Sequence, residues 1–196
     1  EESVRESEER YRTLVELSPS GVFVFSEGRT AYVNHTGAVL LGANAAQEIL
    51  DRPTFDCIHP DYHQGVRDNV TRLLTGGMSV HSAERIYLKM DGTPIPVQVE
   101  AARITWNGKP AIIGLFSDIT KRKQAEEALR ESEERFAIAF RASPHPIGIT
   151  ELATGRCIEV NDACLQLFGF RREDVIGSTT LMLGIWPNEE DRAWLV

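Results

Sequence analysis

Cysteine is scarce in this chain, basic residues are outnumbered, and no apolar run is long; each shortage removes a class of function. The three cysteines, Cys57, Cys157 and Cys164, are odd in number, with no C-x-x-C pair or Cys/His cluster around them. That pattern argues against a disulfide framework and against a structural zinc site, and it is what small thiols in a reducing, cytoplasmic setting look like. Lys and Arg number 21 against 29 Asp and Glu, for a net charge of -8. An acidic chain gains little from a phosphate backbone or an anionic bilayer surface, so neither nucleic acid nor membrane is an expected partner. The apolar runs "GVFVF" and "AIIGLF" are far too short to span a bilayer. There is no P-loop, nucleophile elbow or H-E-x-x-H, and no string of a phosphoacceptor helix, ATP lid or cyclase loop. The chain itself is therefore expected to be non-enzymatic. It starts at Glu1 without an initiator Met or signal peptide, which reads as a piece of a longer protein.

What is present is a long-period repeat. The hexapeptide "RESEER" occurs at Arg5–Arg10 and again at Arg130–Arg135. Around it, "VRESEERYRTLVELSPSGVFV" matches "LRESEERFAIAFRASPHPIGI" at an offset of 125 residues. Asn34 then matches Asn161, and Gly42 matches Gly169, at an offset of 127. The extra residues fall where "SEGR" becomes "ELATGR", as insertions at a hairpin tip do. The period is too long for a solenoid, whose repeats run to about 20–50 residues. The chain is read as a helix over 1–19, a first domain over 20–120, a connecting helix over 121–142, and the first half of a second domain over 143–196.

The less polar positions of both repeated segments step by three and four. They are Val4, Ser7, Tyr11, Leu14 and Ser18 in one, and Ala125, Leu129, Ser132, Phe136 and Ala139 in the other. That is a coiled-coil seam, with Glu and Arg pairing at i,i+3 and i,i+4 on the solvated face. The spacing points to a parallel homodimer through Val4–Ser18 and Ala125–Ala139; the alternative is a plain surface helix on its own domain. Pro144 and Pro146 stop the second helix, as Pro19 stops the first.

Between the helices, "VFVFS" and "TAYVN" read as strands around Glu27-Gly28, and "HTGAVLLG" as a helix capped by Gly42. "AAQEIL" supports another short helix. Tyr62, Val66, Val70, Leu73 and Leu74 mark one face of a longer helix ending at Gly76-Gly77. Three strands follow, joined at Asp91-Gly92 and Asn107-Gly108. "TPIPVQVEAARITW" puts Ile95, Val97, Val99 and Ala101 on one face. "AIIGLFSDI" is apolar almost throughout, as in a strand covered on both faces. The order gives an α+β domain with an antiparallel sheet and helices on one side.

These residues resemble a PAS domain, the sensory module of bacterial signalling proteins. The resemblance lies in "YVN", "LLG", "KMDGTPIPV" and above all "DITKRKQAEEAL", and it covers Ser20–Thr120. "IEVNDACLQLFGFRREDVIG" through "WPNEEDR" resembles the first half of a second copy. The resemblance implies a five-stranded sheet of order 2-1-5-4-3, short helices on one face and long amphipathic signalling helices at the flanks. It implies a pocket between sheet and helices, and coupling of the last strand to the following helix through Asp118 and Thr120. Both of these side chains can accept from the free N–H groups of a helix start. It also implies a relay module of a sensor histidine kinase or cyclic-di-GMP enzyme, with an output domain downstream. The rival reading is a constitutive dimerisation spacer without a ligand. In "GANAAQEILD" the first copy has one residue more than the second, and Asp51 stands where glycine is expected. A different placement of the helix leading into the pocket is therefore expected.

If a ligand binds, Val97, Val99, Ile113 and Leu115 are expected on one wall and Phe55, Ile58, Val66 and Val70 on the other. The same residues suit a plain core. Cys57, in "FDCIHP", does not match the Asn-Cys-Arg-Phe context of flavin-adduct members. His63 shares a helix side with Val66 and Val70 and is expected as a further pocket residue, although it sits one turn too early for a haem ligand. Trp106, near a hairpin, is a poor partner for a flavin ring. The expectation is a small organic ligand or none, and no haem, flavin or metal. Pro146–Val196, lacking three strands, is expected to be poorly ordered or completed by another chain.

Overall fold

The computed structural model describes residues 2–76, 81–186 and 190–191; Gly77, Pro187–Glu189 and Arg192 lie outside them, as does the side chain of Val4. The chain divides into two compact units, Glu1–Gln124 and Ala125–Val196.

The first unit opens with helix α1 (Glu2–Glu16), followed by strands β1 (Gly21–Ser26) and β2 (Arg29–Val33). The β1–β2 turn has Glu27 and Gly28 both at positive φ, the turn that matches strand twist. Helix α2 (His35–Leu40) is N-capped by Asn34. It ends with Gly42 at φ 76, the Gly42 N–H on the Val39 carbonyl and the Ala43 N–H on the Ala38 carbonyl, which is a Schellman closure. Two single 3-10 turns, Ala46–Glu48 and Pro60–Tyr62, lead to helix α3 (His63–Gly76). Strands β3 (His81–Leu88), β4 (Pro94–Trp106) and β5 (Lys109–Asp118) complete the sheet.

All five strands are antiparallel, in the order β2-β1-β5-β4-β3, so the α+β class and the expected strand order hold. The core lies between the sheet and the helices and is built from Phe23, Ile58, Tyr87, Ile95, Val97 and Phe116, with Ala38 and Leu41 of α2 and the following loop. Central strands β1 and β5 approach closely at Gly114, where an added Cβ would lie 2.1 Å from the Phe23 ring.

Asp51 has φ +61, and Gly177, its counterpart in the second copy, has φ +83. The Asp51 N–H bonds the Thr30 carbonyl at 3.0 Å, as the Gly177 N–H bonds that of Cys157 at 2.8 Å. The altered placement expected here is thus not seen at this turn: aspartate, one of the side chains that tolerate this region, holds the glycine conformation.

Helix α4 (Thr120–Ala142) carries ion pairs Arg130–Glu127, Arg130–Glu134 and Arg135–Glu131 at the i,i+3 and i,i+4 spacings. The second unit contains strands β6 (Gly148–Thr150) and β7 (Cys157–Val160), then helices α5 (Asp162–Phe168) and α6 (Arg172–Val175). Asn161 caps α5, and Cys157, Val160 and Val175 form a small core. Strand β6 pairs with β7 alone among the described residues. Over the described residues this unit is a hairpin with two helices, and β6 has there no neighbour like the one that β5 provides for β1.

Candidate functional site: an apolar cavity and a strand-to-helix junction

Alternation along the strands sends Phe23 and Phe25 of β1, Ala83, Arg85 and Tyr87 of β3, Val99 and Ala101 of β4, and Ile112 of β5 to the helix side. Ile58, Val66, Val70 and Leu73 face them across an apolar cavity of about 60 Å³. An apolar cavity of about 150 Å³ is the size that admits benzene. This one therefore suits a ligand of a few heavy atoms.

The residues singled out from sequence fall in different places. Ile58, Val66, Val70 and Val99 line the cavity. Val97, fully buried, belongs to the core beside it. Phe55 lines a separate cleft, its ring under the Arg67 guanidinium at 4.7 Å. Ile113 and Leu115 do not form the inner wall. They pair with Val24 and Val22 on the opposite face, where Leu115 is 42% exposed. An unbroken apolar run carries no facing signal, and register against β1 turns Ile112, Gly114 and Phe116 inward instead. The same exposure corrects the expectation that this strand is covered on both faces.

Neither ring cofactor fits these walls. His63 shares Nε2 with the Ile58 carbonyl at 2.8 Å, and its ring meets Phe55 edge-on at 5.1 Å, away from the cavity lining. The cavity has less than the volume of a benzene site, far short of a haem or flavin ring. Burial pushes the Cys57 thiol up to about 11, which leaves it protonated and a poor nucleophile at neutral pH. Trp106 stands 6.1 Å from Tyr32, on the other face of the sheet.

At the end of β5, one residue separates strand from helix. That residue, Ile119, is buried, and its N–H donates to the Pro96 carbonyl of β4 at 3.0 Å. The Asp118 carboxylate accepts from the Thr120 N–H at 2.7 Å, satisfying a free donor of the first turn of α4. The Lys123 N–H reaches back to the Ile119 carbonyl at 2.9 Å. Thr120, expected to accept at this helix start, is the first helical residue. Glu84 of β3 adds two ion pairs to the same turn, with Arg122 at 2.7 Å and Lys123 at 2.6 Å.

Sequence reasoning did not single out Asn34 as a structural node. Its side chain is fully buried. Oδ1 accepts from the Val22 and Gly37 N–H groups, both at 2.8 Å, and Nδ2 donates to the carbonyls of Val15 at 2.9 Å and Ser20 at 3.1 Å. It joins the end of α1, the start of β1 and the start of α2. Asn161 repeats the arrangement, accepting from Ile147 and Cys164 and donating to Ser143 and His145. The repeat itself was the available signal, since Asn34 and Asn161 align. Glu16 adds a second tie, accepting from the Tyr32 hydroxyl at 2.7 Å and the His35 N–H at 2.9 Å. These two bonds hold the Glu16 carboxyl below its ordinary range.

The PAS fold family matches residues 9–119, more than half of the chain, and a PAS domain family matches residues 134–196. Sporulation kinase A of Bacillus subtilis is 29% identical over 168 residues, 85% of this chain and 27% of that protein. The methyl sulfide methyltransferase-associated sensor of Methanosarcina acetivorans is 26% identical over 185 residues, 93% of this chain and 17% of that one. The chain thus spans little more than a quarter of these relatives at most. The PAS domain of an HTR-like protein from Haloarcula marismortui superposes with a TM-score of 0.52 at 22% identity, covering 60% of this chain and 96% of that one.

Proposed function

The chain belongs to the PAS family, and from that premise we propose that it is a sensory relay module of a larger signal-transduction protein. Of the two relatives, one is a sporulation kinase and the other a methyltransferase-associated sensor, which supports a signalling role. The carrying observation is the junction. Strand β5 lines the cavity through Ile112 and passes into α4 with only Ile119 between. A small ligand or a docking partner that displaces β5 displaces the turn to which Asp118 is bonded.

In this reading α4 is a two-chain seam. Leu129 and Phe136 are 61% and 60% exposed, at the seam positions where a second copy would cover them. The homodimer also involves α1, where Tyr11 and Leu14 are exposed. The output domain, a histidine kinase or a cyclic-di-GMP enzyme, follows in the whole protein, and the open edge of β6 takes a strand from the following chain or from another one. No described helix is long and apolar enough to cross a membrane. The proposed setting is cytoplasmic.

In the whole protein, Asp118→Ala with Thr120→Ala leaves the unit folded and makes output blind to the stimulus. Output that still follows the stimulus overturns the relay. A second reading has its own support: the small cavity, walled by Phe23, Phe25 and Tyr87, suits a constitutive dimerisation spacer. Native mass spectrometry separates the two. A retained small molecule supports the sensor, and a clean dimer with nothing bound supports the spacer.

A further inference from the structure

A second path from the cavity to α4 avoids the closing strand. Edge strand β3 alternates its side chains: Ala83, Arg85 and Tyr87 line the cavity, and Glu84 between them turns to the other face. There Oε1 takes Arg122 at 2.7 Å and Oε2 takes Lys123 at 2.6 Å, so both carboxylate oxygens hold the first turn of α4. The backbone of Glu84 is held as well, because the Arg85 guanidinium donates to the Glu84 carbonyl at 2.8 Å. Arg85 in turn stands 5.7 Å over the Tyr62 ring, in the 3-10 turn just before α3. One edge of β3 pairs with β4. On its other edge, bonds from Cys57 and His59 hold only the Ile86–Leu88 end. Among the described residues, Ala83–Arg85 is thus joined to the sheet through β4 alone.

We propose that Glu84 is a positioning residue that sets the rotation of the first turn of α4, and that cavity occupancy reaches α4 through β3 and this carboxylate in parallel with Asp118. The proposal rests on the relay reading above. Solvent-exposed ion pairs contribute little to stability, so the consequence of this contact is geometric. Two adjacent cations on one carboxylate resist rotation of the turn in either sense, which a single pair does not. The pairs are also open to screening: the Debye length falls from about 10 Å at 0.1 M salt to about 3 Å at 1 M.

The test uses spin labels carried on non-natural residues at Glu100 of β4 and Gln124 of α4, with xenon under pressure as the cavity probe and its uptake followed by the xenon resonance. Ala101→Val fills the cavity by a second route. Either treatment is expected to move the modal label distance by about 1–2 Å, the scale of helix shifts in switching proteins. Glu84→Gln is expected to cut that shift to less than half, and 1 M salt to do the same. The exchange Glu84→Lys with Arg122→Glu and Lys123→Glu is expected to restore it. A full shift in Glu84→Gln overturns the role of Glu84 and leaves the relay standing. No shift in the unsubstituted chain despite xenon uptake, and none in Ala101→Val, overturns the relay and this proposal with it.

Discussion

Replacing Asn34 by Ala removes four hydrogen bonds from a fully buried side chain. Loss of the N-cap to Gly37 costs about 1 kcal/mol. The Val22 N–H is buried and donates to Asn34 Oδ1, so leaving it unsatisfied adds about 1–3 kcal/mol. The first unit should lose about 2–4 kcal/mol in all. For a unit of this size that is a midpoint drop of roughly 8–16 °C. Trp106 is the only tryptophan of the first unit, so with Trp186 and Trp194 replaced by Phe its fluorescence reports that unit's unfolding. Amide exchange at Val22 should accelerate in step, because Asn34 supplies its acceptor. Asn161→Ala tests the same arrangement in the second unit, with a smaller expected loss because one of its bonds is long, 3.4 Å to Ser143. A midpoint within about 3 °C of the parent, with Val22 as protected as before, would refute the reasoning, since those values correspond to under about 1 kcal/mol.

Further outcomes follow from the same geometry. Gly114→Ala drives a methyl into the Phe23 ring, which is displaced toward the cavity; a loss of about 1–3 kcal/mol and abolished xenon uptake are expected, checked by thermal unfolding and the xenon resonance. Asp51→Gly relieves a left-handed residue and should stabilise the unit by about 1 kcal/mol in urea unfolding. The depressed Glu16 pKa means that its tie contributes fully above the ordinary glutamate range of about 4.3 and is lost as pH falls through the lower folded value. The stability advantage over Glu16→Gln should therefore hold at pH 6 and shrink as pH falls below the ordinary glutamate range, read from unfolding midpoints at each pH. Leu129→Asp with Phe136→Asp should convert a dimer to a monomer in sedimentation without lowering the first unit's midpoint.

Local chemistry was the legible part of this fold. Asn-Gly and Asp-Gly pairs marked the turns, three-and-four spacing marked the helices, and the long-period repeat located the hairpin tip. The face of β5 was not legible, because "AIIGLF" has no polar residue to break the symmetry and only pairing with β1 decides it. In the strand "AERIYL" the inward residues include Arg85, whose charge is held by Tyr62 and a backbone carbonyl at the cavity wall. Asp118 was legible as a helix-start acceptor because its partner is two residues away. The Glu84 pairs join residues 38 positions and more apart, and no local pattern announces them.

The claim that cavity and helix are mechanically one is tested most directly by amide resonances during xenon titration of the 196-residue chain. Val99 and Ile112 report the cavity; Ile119, Thr120 and Lys123 report the junction. Both groups are expected to shift with a single common dependence on xenon pressure. Shifts at Val99 and Ile112 with the junction unmoved would contradict the account.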